Sequence, residues 1–249
     1  MIKNLKNIKA IILDLDDTLY DCSGTLVDRG RRQVAKTIAK LINCTEEEAY
    51  LLQSEIEEKY GTRINIYEKI VAFYNLPNRY TQELLEEFIH VDIADIILFP
   101  DVINTLTQLK TQGYKLILVT SGEIQIQREK IDILSLNTYF DDIFIADRNY
   151  NRTKKDCFHD IIQQYNLKPK EIVCVGDKID DELCAAKFFG MLTIMFEHGR
   201  HYKAYLKEQE KHIKPDYCIK HIKDLLESKI LNLPFSYLKP FRHLKRPYQ

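Results

Sequence analysis

Three carboxylates fall within four positions, Asp14, Asp16 and Asp17, directly after the apolar run Ala10-Ile11-Ile12-Leu13. Acids this close repel one another unless a cation sits among them. In an extended chain residues i and i+2 point the same way, so Asp14 and Asp16 are aimed together. One carboxylate can attack phosphorus while the second moves the proton. Asp177 closes another apolar run, Ile172 to Val175 followed by Gly176. Asp14 and Asp177 suit magnesium, which takes oxygen ligands and is held by one or two carboxylates. Asp181 lies one turn further along. Thr120 and Ser121, followed by Gly122, end a third run and offer hydroxyl and backbone N–H donors to phosphate oxygens. A transferring phosphoryl group also needs a fixed positive charge. Arg148, Arg152, Lys154 and Lys155 lie in one short segment and are the candidates.

Elements of the right kind stand around these residues. The runs at 10–13, 114–119, 143–146, 172–176 and 192–195 lack polar alternation, which predicts strands buried on both faces. A short sixth strand is expected at Tyr217-Cys218-Ile219. Helical patterns fall between them, opening near Pro100-Asp101, at 123–134, 155–165 and 180–189, with a last one at 221–229. This alternation predicts an α/β fold, a doubly wound parallel sheet whose site lies outside the carboxyl ends of its strands. Residues 22–95 differ and read as about four helices. Val27, Val34, Ile38 and Leu41 recur at helical spacing, and Thr45 to Glu48 form a capping-box pattern ahead of Ala49, Leu52 and Ile56. A third pattern spans 65–75, and Thr81 is the expected cap of a fourth helix. The expected division is a core of 1–20 and 99–230, an inserted helical domain of 21–98, and an irregular tail of 231–249.

The bulk composition excludes several classes. The formal net charge of −1 gives no support for binding nucleic acid or a membrane surface. The six cysteines form no C-x-x-C pair, so neither zinc spacing nor a disulfide framework is expected, and a reducing cytoplasm is the default. No apolar segment approaches the length of a membrane span. The seven histidines show no metal-ligand cluster; His198, His201, His212, His221 and His243 read as surface, and Cys22 as a buried thiol.

Asp14-Leu15-Asp16-Asp17-Thr18-Leu19-Tyr20, Val119-Thr120-Ser121-Gly122 and Gly176-Asp177-Lys178-Ile179-Asp180-Asp181 together resemble the motifs of the haloacid dehalogenase (HAD) superfamily. The likeness runs from Lys9 to about Glu227. It implies a Rossmann-like core with a helical cap, and a magnesium-dependent phosphatase working through an aspartyl-phosphate. By that resemblance Asp14 is the nucleophile and Asp16 the general acid/base. Magnesium is held by the Asp14 carboxylate, the Asp16 main-chain carbonyl and Asp177, with Asp181 supporting, and Thr120 binds the phosphoryl group. The lysine motif departs from the family's pattern, because no proline follows the basic residue. Spacing to Phe158 favours Arg152 and residue type favours Lys154; Lys154 is chosen, with Arg152 the alternative. A phosphomutase, a dehalogenase, a phospho-accepting signalling domain and a non-catalytic scaffold are the competing readings. The substrate is expected to be a small phosphorylated metabolite. Its identity is not specified by the sequence, nor is the oligomeric state, for which a homodimer is one arrangement allowed.

Overall fold

The computed structural model describes residues 8–62, 64–211 and 213–226. Six strands form one parallel sheet: β1 (Ala10–Leu13), β2 (Lys115–Ser121), β3 (Asp142–Ala146), β4 (Ile172–Gly176), β5 (Leu192–Phe196) and β6 (Tyr217–Ile219). Their order is β3-β2-β1-β4-β5-β6. β1 therefore lies inside the sheet, pairing Leu13 with Leu118 on one side and Val175 on the other. The strand order reverses on either side of β1, which makes its carboxyl end the switch point where doubly wound sheets form their crevice.

The uninterrupted apolar runs have the expected cause, since both faces of the sheet are covered. Ile11 and Leu13 join one buried cluster with Leu106, Leu118, Val173 and Val175. Ala10 and Ile12 join the other, with Ile117, Phe158, Ile161 and Cys174. The covering helices include α5 (Val102–Thr111), α6 (Ile124–Ile133), α7 (Lys154–Gln164) and α8 (Cys184–Phe189).

The stretch after β1 is helical, as its periodicity predicts. It holds α1 (Asp28–Ile42), α2 (Glu46–Tyr60), α3 (Ile66–Phe73) and α4 (Arg79–Ile89). These four share an apolar cluster of their own, with Val34, Ile38, Ala49, Ile70 and Leu84 buried together. Thr45 caps α2 through the expected capping box with Glu48. Phe88 of α4 packs against this cluster and against the core cluster of Ile11 and Leu13. A chain entering α1 from β1 and returning through Leu98 is thus anchored to the sheet; Phe99 N donates to Leu19 O at 2.9 Å.

Several expectations need correction. Thr81 lies inside α4, which starts at Arg79 after Asn78. The acids follow the first strand as expected, since it ends at Leu13; Asp14 N donates to Val175 O at 3.0 Å and extends the ladder by one residue. The stretch 179–183 is a wide π-type turn leading into α8, and a similar turn at Ser23–Val27 leads into α1. The last helical segment is a short 3₁₀ piece at Ile222–Leu226; its expected continuation to 229, the tail 231–249, His212 and His243 lie outside the described residues. A further helix, α9 (Gly199–Lys207), carries no clear periodic signal in the sequence, because its apolar positions are few. No helix among the described residues is long and apolar enough to cross a membrane.

Candidate active site

Asp14, Asp16, Thr120, Ser121, Lys154, Asp177 and Asp181 line one cleft of about 110 Å³ at the carboxyl edge of the sheet. The fold brings them together because β1, β2 and β4 are adjacent and parallel, so their ends share an edge. The main surprise is the separation of the two leading acids by partner.

Asp14 faces the α7–β4 side. Its Oδ1 lies 2.8 Å from Lys154 Nζ, and Lys154 also reaches Glu182 Oε2 at 2.9 Å. All three side chains are almost wholly buried. Asp177 is buried beside them, and its Oδ2 has no hydrogen-bond partner. Oxygens of Asp14, Asp177 and Glu182 lie within 4.8 Å of one another. Three buried carboxylates thus share one ammonium. Burial, opposed by Lys154 and reinforced by Glu182, pushes the Asp14 carboxyl up to about 7. Burial and the neighbouring carboxylates push Asp177 well above the usual carboxylate range. Lys154 stays charged, since Asp14 and Glu182 outweigh the burial that would otherwise lower it. Such a surplus of negative charge, with one orphaned oxygen, fits a hard divalent cation with oxygen ligands. Asp181 also borders the cleft, but its nearest cation is Lys178 at 3.9 Å.

Asp16 faces α6 instead. Lys130 Nζ approaches its two oxygens at 2.9 and 3.1 Å, and Gln127 Nε2 donates to it at 3.3 Å. The Tyr20 hydroxyl donates to it as well. Burial alone would raise the Asp16 carboxyl; Lys130 and these donors outweigh it and hold it below the ordinary value. Gln127 also donates to the Thr120 hydroxyl oxygen, leaving that O–H free to turn toward the cleft.

Asp17 adopts a left-handed backbone, with φ of 57°, and accepts from Ser23 N at 2.7 Å and from the Ser23 hydroxyl. It therefore folds the chain into the wide turn that starts α1. Gly199 presses against it from α9, and a Cβ there would lie 2.5 Å from Asp17 Cγ.

Of the two candidate cations, Lys154 is the one inside the cleft, as the first residue of α7. Thr153 caps that helix through a capping box with Asp156. Arg152 lies on the surface, 2.6 Å from Asp160 Oδ2. Glu182, Lys130 and Gln127 were not singled out from the sequence. Gln127 and Lys130 sit at ordinary positions of α6 and Glu182 in the wide turn before α8, and only tertiary packing turns them toward the strand ends. Gly176 is the one local signal for Glu182, since a Cβ there would collide with the Glu182 carboxylate. His198 and His201 also depart from the surface reading. His198 lies 2.9 Å from Asp21 Oδ1, and His201 borders the cleft together with Arg200. Cys22 is buried, and burial holds its thiol well above the usual range.

The strand order, with the acids at the switch point, is that of a doubly wound α/β protein whose site lies at the carboxyl edge of its sheet. Residues 8–188 match the family model for haloacid dehalogenase-like hydrolases, and the chain belongs to that family as a phosphoric monoester hydrolase. It is 30% identical over 226 residues to the glyceraldehyde 3-phosphate phosphatase of Methanocaldococcus jannaschii, covering 88% of this chain and 96% of the relative. It is 26% identical to the mouse N-acylneuraminate-9-phosphatase, covering 72% and 78%. Among solved structures, one titled as a putative phosphatase from Clostridium difficile superposes with a TM-score of 0.68 at 18% identity, covering 91% of this chain and 99% of the other. That last likeness concerns the fold alone.

Proposed function

We propose that this enzyme is a magnesium-dependent phosphatase that hydrolyses a small phosphorylated metabolite through an aspartyl-phosphate on Asp14. The observation that carries the reading is the imbalance of three buried carboxylates against one buried ammonium. Asp14, Asp177 and the Asp16 main-chain carbonyl would hold the ion, with Asp181 in support. When bound, the ion offsets the negative charge of the phosphoryl oxygens and keeps Asp14 ionised for attack.

The remaining steps belong to the chain. An Asp14 oxygen bonds to phosphorus and the bond to the leaving oxygen breaks. Asp16 protonates that oxygen. Water then attacks the aspartyl-phosphate and releases phosphate, and Asp16 takes the water's proton. Lys130 and Tyr20 hold Asp16 ionised, the state that accepts this proton, which then serves the next leaving group. Lys154 and the Thr120 hydroxyl bind the phosphoryl oxygens. Glu182 positions Lys154. The helical segment 21–98 acts as a cap over the core of 1–20 and 99–230, and excludes water during attack. Six free thiols, one of them exposed on Cys184, suit a reducing cytoplasm.

The test is hydrolysis of p-nitrophenyl phosphate. Activity should require magnesium, vanish with EDTA, and fall to background in Asp14→Asn. Full turnover by Asp14→Asn would sink the nucleophile assignment.

A further inference from the structure

The catalytic cleft does not end at Asp14. Val27, Arg200 and His201 border both it and a second cleft of about 560 Å³, so the two adjoin. The second cleft lies between the end of α2 and α9. It is far larger than a phosphoryl group needs, and it falls within the size range of small-molecule sites.

Its wall carries an ionic array with an odd member. Arg31 Nη2 lies 2.7 Å from Glu57 Oε1, and Arg200 Nη1 pairs with Glu57 Oε2. Arg31 and Glu57 side chains are only 12% and 11% exposed, and that of Arg200 30%. Two guanidinium groups thus share one carboxylate in a place largely withdrawn from water. The rest of the Arg31 fork is poorly met. Among the described residues its Nη1 reaches only the Ser54 hydroxyl, at 3.2 Å, and its Nε is buried with no acceptor. Among the described residues no second carboxylate lies within ion-pair distance of either guanidinium, so the array can accept a further counter-ion. Other charges around this cleft come in both signs. Lys207 is already paired with Glu58 at 2.5 Å, and Asp180, Glu208, Lys59 and Lys203 also line the cleft.

We propose that this second cleft is the leaving-group subsite and that it takes a carboxylate. The substrate is then a phosphorylated acid, a phosphate monoester that also carries a carboxylate, with Arg31 and Arg200 as its specificity residues. The proposal rests on the phosphatase reading of the Asp14 centre. A carboxylate carries the single negative charge that the array lacks, and its planar oxygens match a guanidinium fork. A second phosphate would bring about two charges against one. A neutral sugar or aldehyde would leave the surplus uncompensated.

The experiment uses the intact enzyme with magnesium and two matched pairs of substrates. One pair is 3-phosphoglycerate and glyceraldehyde 3-phosphate; the other is 6-phosphogluconate and glucose 6-phosphate. p-Nitrophenyl phosphate serves as the generic ester. In at least one pair kcat/KM should favour the acid by about tenfold or more, mainly through a lower KM. Arg31→Gln should bring that ratio close to one by raising KM for the acid, and Arg31→Lys should restore part of it. Equal or inverted preference in both pairs would overturn the proposal, as would an undiminished ratio in Arg31→Gln. The wild-type comparison decides the matter even where a variant fails to fold. Turnover of p-nitrophenyl phosphate without acid preference rejects the subsite alone. Absence of all turnover rejects the phosphatase reading and the subsite with it.

Discussion

Lys154 and Arg152 stand two positions apart and meet different partners. Lys154 is buried against Asp14 and Glu182, while Arg152 pairs with Asp160 on the surface. Lys154→Ala should therefore lower kcat/KM by about 10² or more, the scale for removing a preorganised charge from a transition state. Arg152→Ala should change it by less than about threefold, as expected for an exposed ion pair. Steady-state kinetics on p-nitrophenyl phosphate compares them directly, and equal losses would contradict the assignment. Asp16 presents a different problem. Its spacing from Asp14 is legible in the sequence, but its partners are not. Lys130 and Gln127 are residues of α6, more than a hundred positions away. Lys130→Met leaves Asp16 without its cation, so burial raises that carboxyl. The acid limb of the kcat profile, where Asp16 must be ionised to accept the water's proton, should then move up by a measurable fraction of a pH unit. An unmoved limb would show that Lys130 does not govern Asp16.

Among the helices, α7 shows how a local signal sets where one cleft residue sits. Lys154 is its first residue, and the Thr153–Asp156 capping box sets where the helix begins. Thr153→Ala removes a side-chain acceptor for an orphaned N–H and should cost about 1 kcal/mol of stability. Urea unfolding measures that loss, and the same variant should lose activity if the cap also sets the Lys154 position. In the helical insert, Leu84 is fully buried in a cluster separate from the sheet. Leu84→Ala should cost about 2–5 kcal/mol by leaving a cavity, read in the same unfolding experiment. The periodicity of α1 and the capping box of α2 are visible in the chain because they rest on contacts four residues apart or fewer. α9 is not visible in that way. Only Gly199 and Tyr205 of its residues are buried, and its position depends on Asp17 and the α2 end that it packs against.

For the molecule as a whole, the buried acids couple stability to pH and to metal. In the unfolded chain an aspartate titrates near about 3.9. In the folded protein without metal, burial raises Asp14 to about 7 and Asp177 above its usual range. The folded state then holds more protons than the unfolded one over this window. Stability must fall as pH rises above about 4, and the part due to Asp14 is lost by about pH 7. A bound divalent cation favours the ionised carboxylates and opposes this loss. Metal-free protein should therefore melt at a higher temperature at pH 5 than at pH 8. Magnesium should raise Tm more at pH 8 than at pH 5, and an equal rise at both would contradict a site built from these acids.

The apolar runs of β1, β2 and β4 dictate buried parallel strands, and the acids and hydroxyls after them dictate an edge rich in oxygen ligands. Those features are local, because strand length, period and chain direction follow from neighbouring residues. Which side of the edge each acid faces is not local. Asp14 turns to Lys154 and Glu182, and Asp16 to Lys130 and Gln127, because separate helices deliver those partners across the sheet. The pairing of Arg31 and Arg200 on Glu57 is equally invisible along the chain, since it joins residues up to 169 positions apart by their numbering. Electrostatic balance in a buried site is a property of what surrounds it, and tertiary packing alone decides that.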